Sequence, residues 1–535
     1  MRRLALLSLI LLIATGCSQR SVVNEDRAAH DYNTAVSKGP LALHSFLVDF
    51  PKGADLHVHL SGAVYAESFI RDAGEDKLCI DPDGLKFATR KNPKTGSEEI
   101  VKEPCAKPLV AASELSGAMP SADQKLYDRL IDAFSMRGFV PTTGFSGHDQ
   151  FFATFARFSG LDKRHTGEFV DEVASRAAAQ NQQYLELMET PPFGHAAGLG
   201  YKIGWKADPT PADLASLRQA LLDQGLRDEV ATDREHVHSA EALRRQLEHC
   251  GTPQATPACS VEIRYIYQIL RGYPPEQVFA QTLLGFETIQ QSEQAHGGGF
   301  VGINFVMPED GMISMRDYTL QMKMLDYLHS VYPMVHITLH AGELAPGLVP
   351  PEGLRFHIRQ AVELGHAERI GHGVDLMYED NAQGLLKELA DKHVMIEINL
   401  SSNAGILGVE GEEHPFRQYR AAHVPVALST DDEGVSRIDL TNEYERAAET
   451  YHLSYKDLKQ MARTGMEHSF LSGQSLWQKP DVFTAPVDAC RGQMPGDVQI
   501  ITPSSACYNF LEANEKAAAQ MELERRFLVF EAKSQ

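Results

Sequence analysis

Positive charge is scarce in this 535-residue chain: 50 lysines and arginines stand against 72 aspartates and glutamates, a formal charge of −22. So anionic a surface repels nucleic-acid backbones and anionic lipid, which disfavours nucleic acid as a partner, and none is expected. The seven cysteines contain no Cys-x-x-Cys pair and no Cys/His spacing of the zinc-knuckle kind, which argues against a structural zinc module. Low-complexity tracts and internal repeats are missing as well. The apolar run Leu4 to Ala14 is too short to span a bilayer comfortably.

What that run does have is the layout of an export signal: two arginines, the apolar stretch, then small residues ending at Cys17. Ala14-Thr15-Gly16-Cys17 resembles a bacterial lipoprotein box, in which the cysteine would be acylated. Ordinary cleavage with a soluble periplasmic product is the alternative. The expectation is an exported, periplasmic lipoprotein, anchored to the outer membrane through its N-terminal lipid alone. Without Cys17, six cysteines remain in local pairs, Cys79 with Cys105, Cys250 with Cys259, and Cys490 with Cys507, each among loop-type residues. Three loop staples suit an oxidising compartment, against the alternative of six free thiols.

Further along, short apolar runs recur between stretches of helical periodicity, the rhythm of βα units and a parallel sheet. Strands are expected at 54–59, 183–188, 261–269, 300–306, 335–340, 369–372, 394–400 and 424–430, with helices at Pro351 to Leu364 and Asn381 to Lys392. Eight such units predict an α/β fold of the (β/α)8 TIM-barrel kind, whose sites gather at the C-terminal strand ends. The expected division is a signal peptide at 1–17, an N-terminal helical extension at 18–50, the barrel at 51–480, and a C-terminal extension at 481–535 ending in one amphipathic helix. That helix packs on the barrel, with a dimer contact as the alternative. An insertion after strand one, about 70–150, contains the cysteine-bracketed "CIDPDGLKFATRKNPKTGSEEIVKEPC", which reads as a small hairpin. The aromatic stretch "HDQFFATFARF" that follows reads as core packing in preference to a lid.

Ionisable residues stand at the strand ends. Strand one closes with His57-Val58-His59, whose alternation puts both imidazoles on one side. Strand five ends in His340-Ala341-Gly342-Glu343, strand six in His372, and strand eight in Asp431-Asp432. His57, His59, His340 and Asp431 form a nitrogen/oxygen set for one catalytic Zn2+ per chain, with a position left for water. Zinc brings the pKa of bound water near neutrality. Glu343 is then placed to act as proton donor, Asp431 to help orient the water, and His372 either to accept its proton or to hold the hydroxide in line. The plain alternatives are a helix-start carboxylate for Glu343 and an N-cap for Asp432. Strand four ends in "INFVMPED", without the lysine a two-metal site would use.

Taken together, "HVHLSGA", "HAGE", "RIGHG" and "ALSTDDEGVSR" resemble the adenosine deaminase family in order and type. The export signal and cysteine-containing insertion look most like its secreted, growth-factor-related branch. The resemblance covers roughly residues 40–475. It implies a hydrolase that adds hydroxide to C6 of a 6-aminopurine nucleoside and expels ammonia, with His57, His59, His340 and Asp431 as metal ligands. Glu343 would protonate purine N1, His372 would orient hydroxide and Asp432 would bond N7. Substrate contacts would come from His59, Ser61, Met307 and Asp432. Three departures fall at the substrate end or behind it. Ser61 stands where members often carry a ribose-binding aspartate, Met307 where many have glycine, and Asn399-Leu400 where Cys-Pro is usual. The expected reaction is adenosine, and 2'-deoxyadenosine, to the inosine product. A deaminase of adenine or of a substituted adenosine, a non-catalytic nucleoside-binding protein, and a different metal-assisted hydrolase such as an amidase are the rivals.

Overall fold

A computed structural model describes residues 23–93, 98–116, 123–161, 163–293, 299–497 and 499–534. The export signal and Cys17 lie outside the described residues. Eight strands, β1 Gly53–His59, β2 Gln182–Glu189, β3 Glu262–Leu270, β4 Phe300–Val306, β5 His336–Ala341, β6 Arg369–His372, β7 Met395–Ile398 and β8 Val426–Leu428, neighbour one another in chain order. Each pairs in parallel with the next. Beyond β8 the ring closes: the Asp431 N–H donates to the His57 carbonyl at 2.8 Å, and the His59 N–H to the Asp431 carbonyl at 3.0 Å. The fold is the expected (β/α)8 barrel, each strand within two residues of its expected ends. Helices cover the outside, so the strands are buried on both faces and read as near-continuous apolar runs; every residue of β1 is buried.

The barrel interior carries a chain of charge. Arg369 on β6 reaches Glu186 on β2 at 2.7 Å and Glu397 on β7 at 2.6 Å. The second Glu397 oxygen accepts from His57 Nδ1 at 2.6 Å, and Thr338 of β5 donates to the first at 2.9 Å. All five side chains are 0 % exposed, and the guanidinium lies 3.8 Å over the Phe470 ring.

The insertion holds more than a hairpin. Strands Cys79–Asp81, Lys86–Phe87 and Val110–Ala111 form a three-stranded antiparallel sheet, and Thr89–Lys91 pairs separately with Glu98–Ile100. A disulfide joins Cys79 to Cys105; others join Cys250 to Cys259 and Cys490 to Cys507. Helices Gln124–Ala133 and Gly147–Phe158 follow and share an apolar cluster built on Phe69, Leu130, Phe151 and Phe158.

At the N-terminal end, residues 23–38 are helical, and helix Pro40–Asp49 begins with proline, whose missing N–H costs nothing in a first turn. The expected helix over Pro351 to Leu364 is a 3-10 turn, Pro351–Leu354, followed by helix His357–Glu363, and Ala382–Asp391 is the next helix. The single C-terminal helix is instead two, Ala506–Ala513 and Glu515–Glu531. Asn514 takes an extended conformation between them, and its amide both donates to the Phe510 carbonyl at 2.8 Å and accepts from the Gln474 N–H at 2.7 Å. Helix Glu515–Glu531 packs Leu523, Phe527 and Phe530 onto the barrel core. Among the described residues no helix is long and apolar enough to cross a membrane.

Removing one member of a buried ion network strands the others. Arg369→Leu is expected to lower the unfolding free energy by about 3–5 kcal/mol, read as a drop in urea midpoint at constant m-value.

Candidate active site

The charged strand ends converge at the C-terminal mouth of the barrel. His59 Nε2 lies 3.1 Å from His340 Nε2 and 3.3 Å from Asp431 Oδ1. His57 Nε2 lies 3.5 Å from the same oxygen, and the His57 and His340 ring centroids are 4.5 Å apart. His372 Nε2 sits 3.8 Å from Asp431 Oδ2 and 3.8 Å from Glu343 Oε1. Three backbones here occupy the left-handed region, Met307 (φ 86°), His372 (φ 69°) and Asp431 (φ 62°), and such strain is held only where packing overdetermines it. Gly371 on β6 makes room for the His57 ring, since a Cβ there would meet His57 Cε1 at 2.5 Å. Gly62 does the same for Asp432, whose Oδ1 would meet a Cβ at 1.4 Å.

The groups behind the ring nitrogens fix their direction. His57 gives its Nδ1 proton to Glu397, which leaves Nε2 aimed inward without a hydrogen-bond partner. Asn304 Oδ1 accepts from both the His340 N–H and its Nδ1, so His340 Nε2 also carries a lone pair. The two ends of the Gln268 amide meet His59 Nδ1 at 2.5 Å and Thr190 Oγ1 at 2.6 Å, and turned so that its NH2 donates to Thr190 it sets its oxygen against His59. With the amide oxygen toward His59, the third imidazole points a lone pair inward too. Asp431 accepts from Ser402 at 2.6 Å. Burial disfavours a charged His57, yet Asp431 and Glu397 raise it to about 10, marking a place that holds positive charge. Burial alone would raise Glu397, but Arg369 and His57 bring it to about 2. Inward lone pairs, an orphaned buried nitrogen and a carboxylate that, among the described residues, no lysine or arginine meets fit a divalent cation.

Proton donors stand beside this cluster. Burial, opposed by His372 and reinforced by Asp431, raises Glu343 to about 7. Burial and the adjacent Asp431 hold Asp432 well above the usual carboxylate range, while the His57, His59 and His372 rings crowded against Asp431 overcome burial and hold it well below that range. A cavity of about 410 Å³ opens over these groups, with Ser61, Thr190, Gln268 and Met307 on its walls and Phe151, Phe152 and Phe155 above.

Residues 246–477 match the sequence profile described as adenosine deaminase. Over that stretch the chain is similar to adenosine deaminases. It is 33 % identical over 189 residues to an adenosine deaminase of Clostridium perfringens strain SM101, 35 % of this chain and 52 % of that protein. To the adenosine deaminase of Escherichia coli strain SE11 it is 40 % identical over 140 residues, 26 % of this chain and 39 % of that one. The chain thus spans about half or less of the length of these curated relatives. An apo structure of the N6-methyl-AMP deaminase from Arabidopsis thaliana overlays with a TM-score of 0.49 at 18 % identity, covering 80 % of this chain and 94 % of that one.

The structure brings His57, His59, His340, His372, Glu343, Asp431 and Asp432 together. Ser61 is exposed at the cavity mouth. Met307 is 40 % exposed, its side chain laid so close over Gly272 that a Cβ there would meet its Cε at 2.7 Å. Asp432 precedes helix Glu433–Ser436 but makes no side-chain cap, so the N-cap alternative does not account for it. Helix Gly147–Phe158 is both core and roof: Phe151 and Phe158 are buried in the insertion cluster, and Phe151, Phe152 and Phe155 line the cavity. Glu186, Arg369, Glu397, Asn304 and Gln268 escaped the sequence reading. So did Glu309, which accepts from the Gly342 and Glu343 N–H groups at 3.0 and 2.8 Å and from His357 at 2.5 Å, fixing the turn that presents Glu343.

Glu397→Gln keeps the shape but not the charge behind His57. Its expected effect is a ~10–100-fold weaker affinity for a divalent cation, measured by competition with a chromophoric chelator.

Proposed function

We propose that the protein is a zinc-dependent deaminase of purine nucleosides that converts adenosine and 2'-deoxyadenosine, with water, to inosine and 2'-deoxyinosine and ammonia. The observation that carries this is a pair of buried carboxyls on one cavity floor, both pushed up toward the protonated form by burial. Adenine offers acceptors at N1 and N7, and a carboxyl can donate to either only in its neutral form. Glu343, raised to about 7, faces the first task and Asp432 the second. His57, His59, His340 and Asp431 would hold one zinc ion, which lowers the pKa of a water to near 7. His372 orients that water toward C6. Glu343 delivers its proton to N1 as the water oxygen bonds to C6 and regains the proton that the water gives up; when the C6–N bond breaks, the amine takes the proton left on that oxygen and departs as ammonia, leaving the 6-oxo product. The Phe151, Phe152 and Phe155 rings exclude bulk water from the reacting face.

Substrate size and charge follow from the walls. None of the described residues lining the cavity is lysine or arginine, so a phosphate entering it would lose its hydration with no cation to meet it. This favours nucleosides over nucleotides. Ser61 and Thr190 offer hydroxyls at the polar end of the cavity, suited to ribose. The protein is, on this reading, an envelope enzyme anchored through an acylated Cys17, and the three disulfides fit that compartment.

Purified, zinc-loaded protein is expected to change the ultraviolet spectrum of adenosine and 2'-deoxyadenosine with release of ammonia, and to leave the nucleotide AMP untouched. Glu343→Gln, which cannot give up a proton, should lower kcat by ~10²–10⁴-fold. No ammonia from any 6-aminopurine would sink the proposal, and turnover of adenine alone would shift it to the free base. Cys17→Ser should move the protein from the membrane pellet to the soluble fraction of the periplasm.

A further inference from the structure

Behind His372 runs a buried chain of hydrogen bonds that the reaction above does not use. His372 Nδ1 meets the Asn403 amide at 2.8 Å, and the other end of that amide meets His414 Nε2 at 2.9 Å. His414 Nδ1 in turn accepts the backbone N–H of Phe416 at 3.1 Å. His372, Asn403 and His414 are at most 1 % exposed, and these are the polar contacts of the Asn403 amide and of both His414 nitrogens.

Counting protons along this chain leaves one arrangement. A backbone N–H can only donate, so His414 Nδ1 carries the lone pair. Burial and the neighbouring His372 and Arg446 push the His414 pKa down to about 3, so the ring is neutral and its one proton sits on Nε2. That proton must meet an acceptor, which places the Asn403 oxygen toward His414 and its NH2 toward His372. Amide oxygen and nitrogen are interchangeable in shape, so the surrounding network assigns them. His372 Nδ1 therefore accepts, and its proton is on Nε2. Asn399 gives independent support. Its amide lies 3.4 Å from His372 Nε2, and its Oδ1 is a buried oxygen without a partner when the NH2 faces the ring. Turned over, the amide gives that oxygen a donor.

We infer that Asn403 and His414 are positioning residues that lock His372 into the tautomer with its proton on Nε2, so that His372 presents a hydrogen-bond donor, not a base, to the substrate cavity. Of the two roles open to His372 from sequence, holding the nucleophile in line is the one the chain permits. The same tautomer has no lone pair to offer a metal at Nε2, which sets His372 apart from the three imidazoles beside it. What the donor faces rests on the proposed deamination; the tautomer does not.

The test is a pair of readouts. Long-range ¹H–¹⁵N spectra of histidine-labelled, zinc-loaded protein distinguish Nε2–H from Nδ1–H, with the His372 signals assigned by their loss in His372→Gln. Wild type should show Nε2–H. His414→Gln, which puts an amide N–H where Nε2–H was, should keep it, and His414→Asn, which keeps the acceptor for Phe416 but loses the donor, should not. For adenosine, His414→Asn should lower kcat by roughly tenfold or more with KM changed less than about threefold, while His414→Gln stays within about threefold of wild type in both. A wild-type proton on Nδ1, or an unchanged tautomer in His414→Asn, overturns the inference. Should no adenosine be turned over, the spectra still decide the tautomer, so the two readings fail separately.

Discussion

Everything at this site leans on the buried chain Glu186–Arg369–Glu397–His57. A barrel interior is ordinarily filled by branched aliphatic side chains, and taking two carboxylates and a guanidinium out of water is costly unless each finds a full set of partners. Here each does: Arg369 is shared by strands β2 and β7, its guanidinium also donates to the His468 carbonyl, and the Phe470 face covers it. The result is a polar girder across the barrel whose upper end is the Nδ1 of a single histidine. Through Glu397 the girder fixes both the tautomer and the ring plane of His57, so the aim of one inward nitrogen is decided several residues below the cavity.

Closure of the ring is bound to the same place. β8 is short, and the last hydrogen bonds to β1 are made by Asp431, whose left-handed backbone turns its carboxylate back over the ring of histidines. The residue that seals the barrel is thus also the one whose side chain touches His57, His59 and Ser402. Backbone strain there is affordable because both strands hold it. Asp432 then emerges on the opposite side of the chain, into space left by a glycine.

Much of this was legible beforehand, for identifiable reasons. Eight strands could be read because burial on two faces leaves long apolar runs, and His57, His59, His340, His372 and Asp431 could be read because each stands where such a run stops. Arg369, Glu186 and Glu397 could not: a lone charge within an apolar strand carries no mark of whether it faces the core or a helix. Gln268 and Asn304 were hidden likewise, since amides behind histidines have no spacing of their own. His414 lies in a loop far along the chain from His372, and only the fold makes them neighbours through Asn403. The break at Asn514 escaped because asparagine is tolerated within helices, and the hydrogen bond it accepts from Gln474 is invisible in sequence. For helix Gly147–Phe158 the 3.6-residue period favoured core packing over a lid, and the helix serves both.

That helix separates two things usually bound together. The floor of the cavity is made of strand ends locked by the barrel's own hydrogen bonds, whereas its ceiling belongs to an inserted segment with its own apolar cluster and its own disulfide. Floor and ceiling therefore sit on parts of the chain that pack into different apolar clusters. Substitutions in the ceiling can reshape the cavity's entrance without disturbing the proton inventory beneath it.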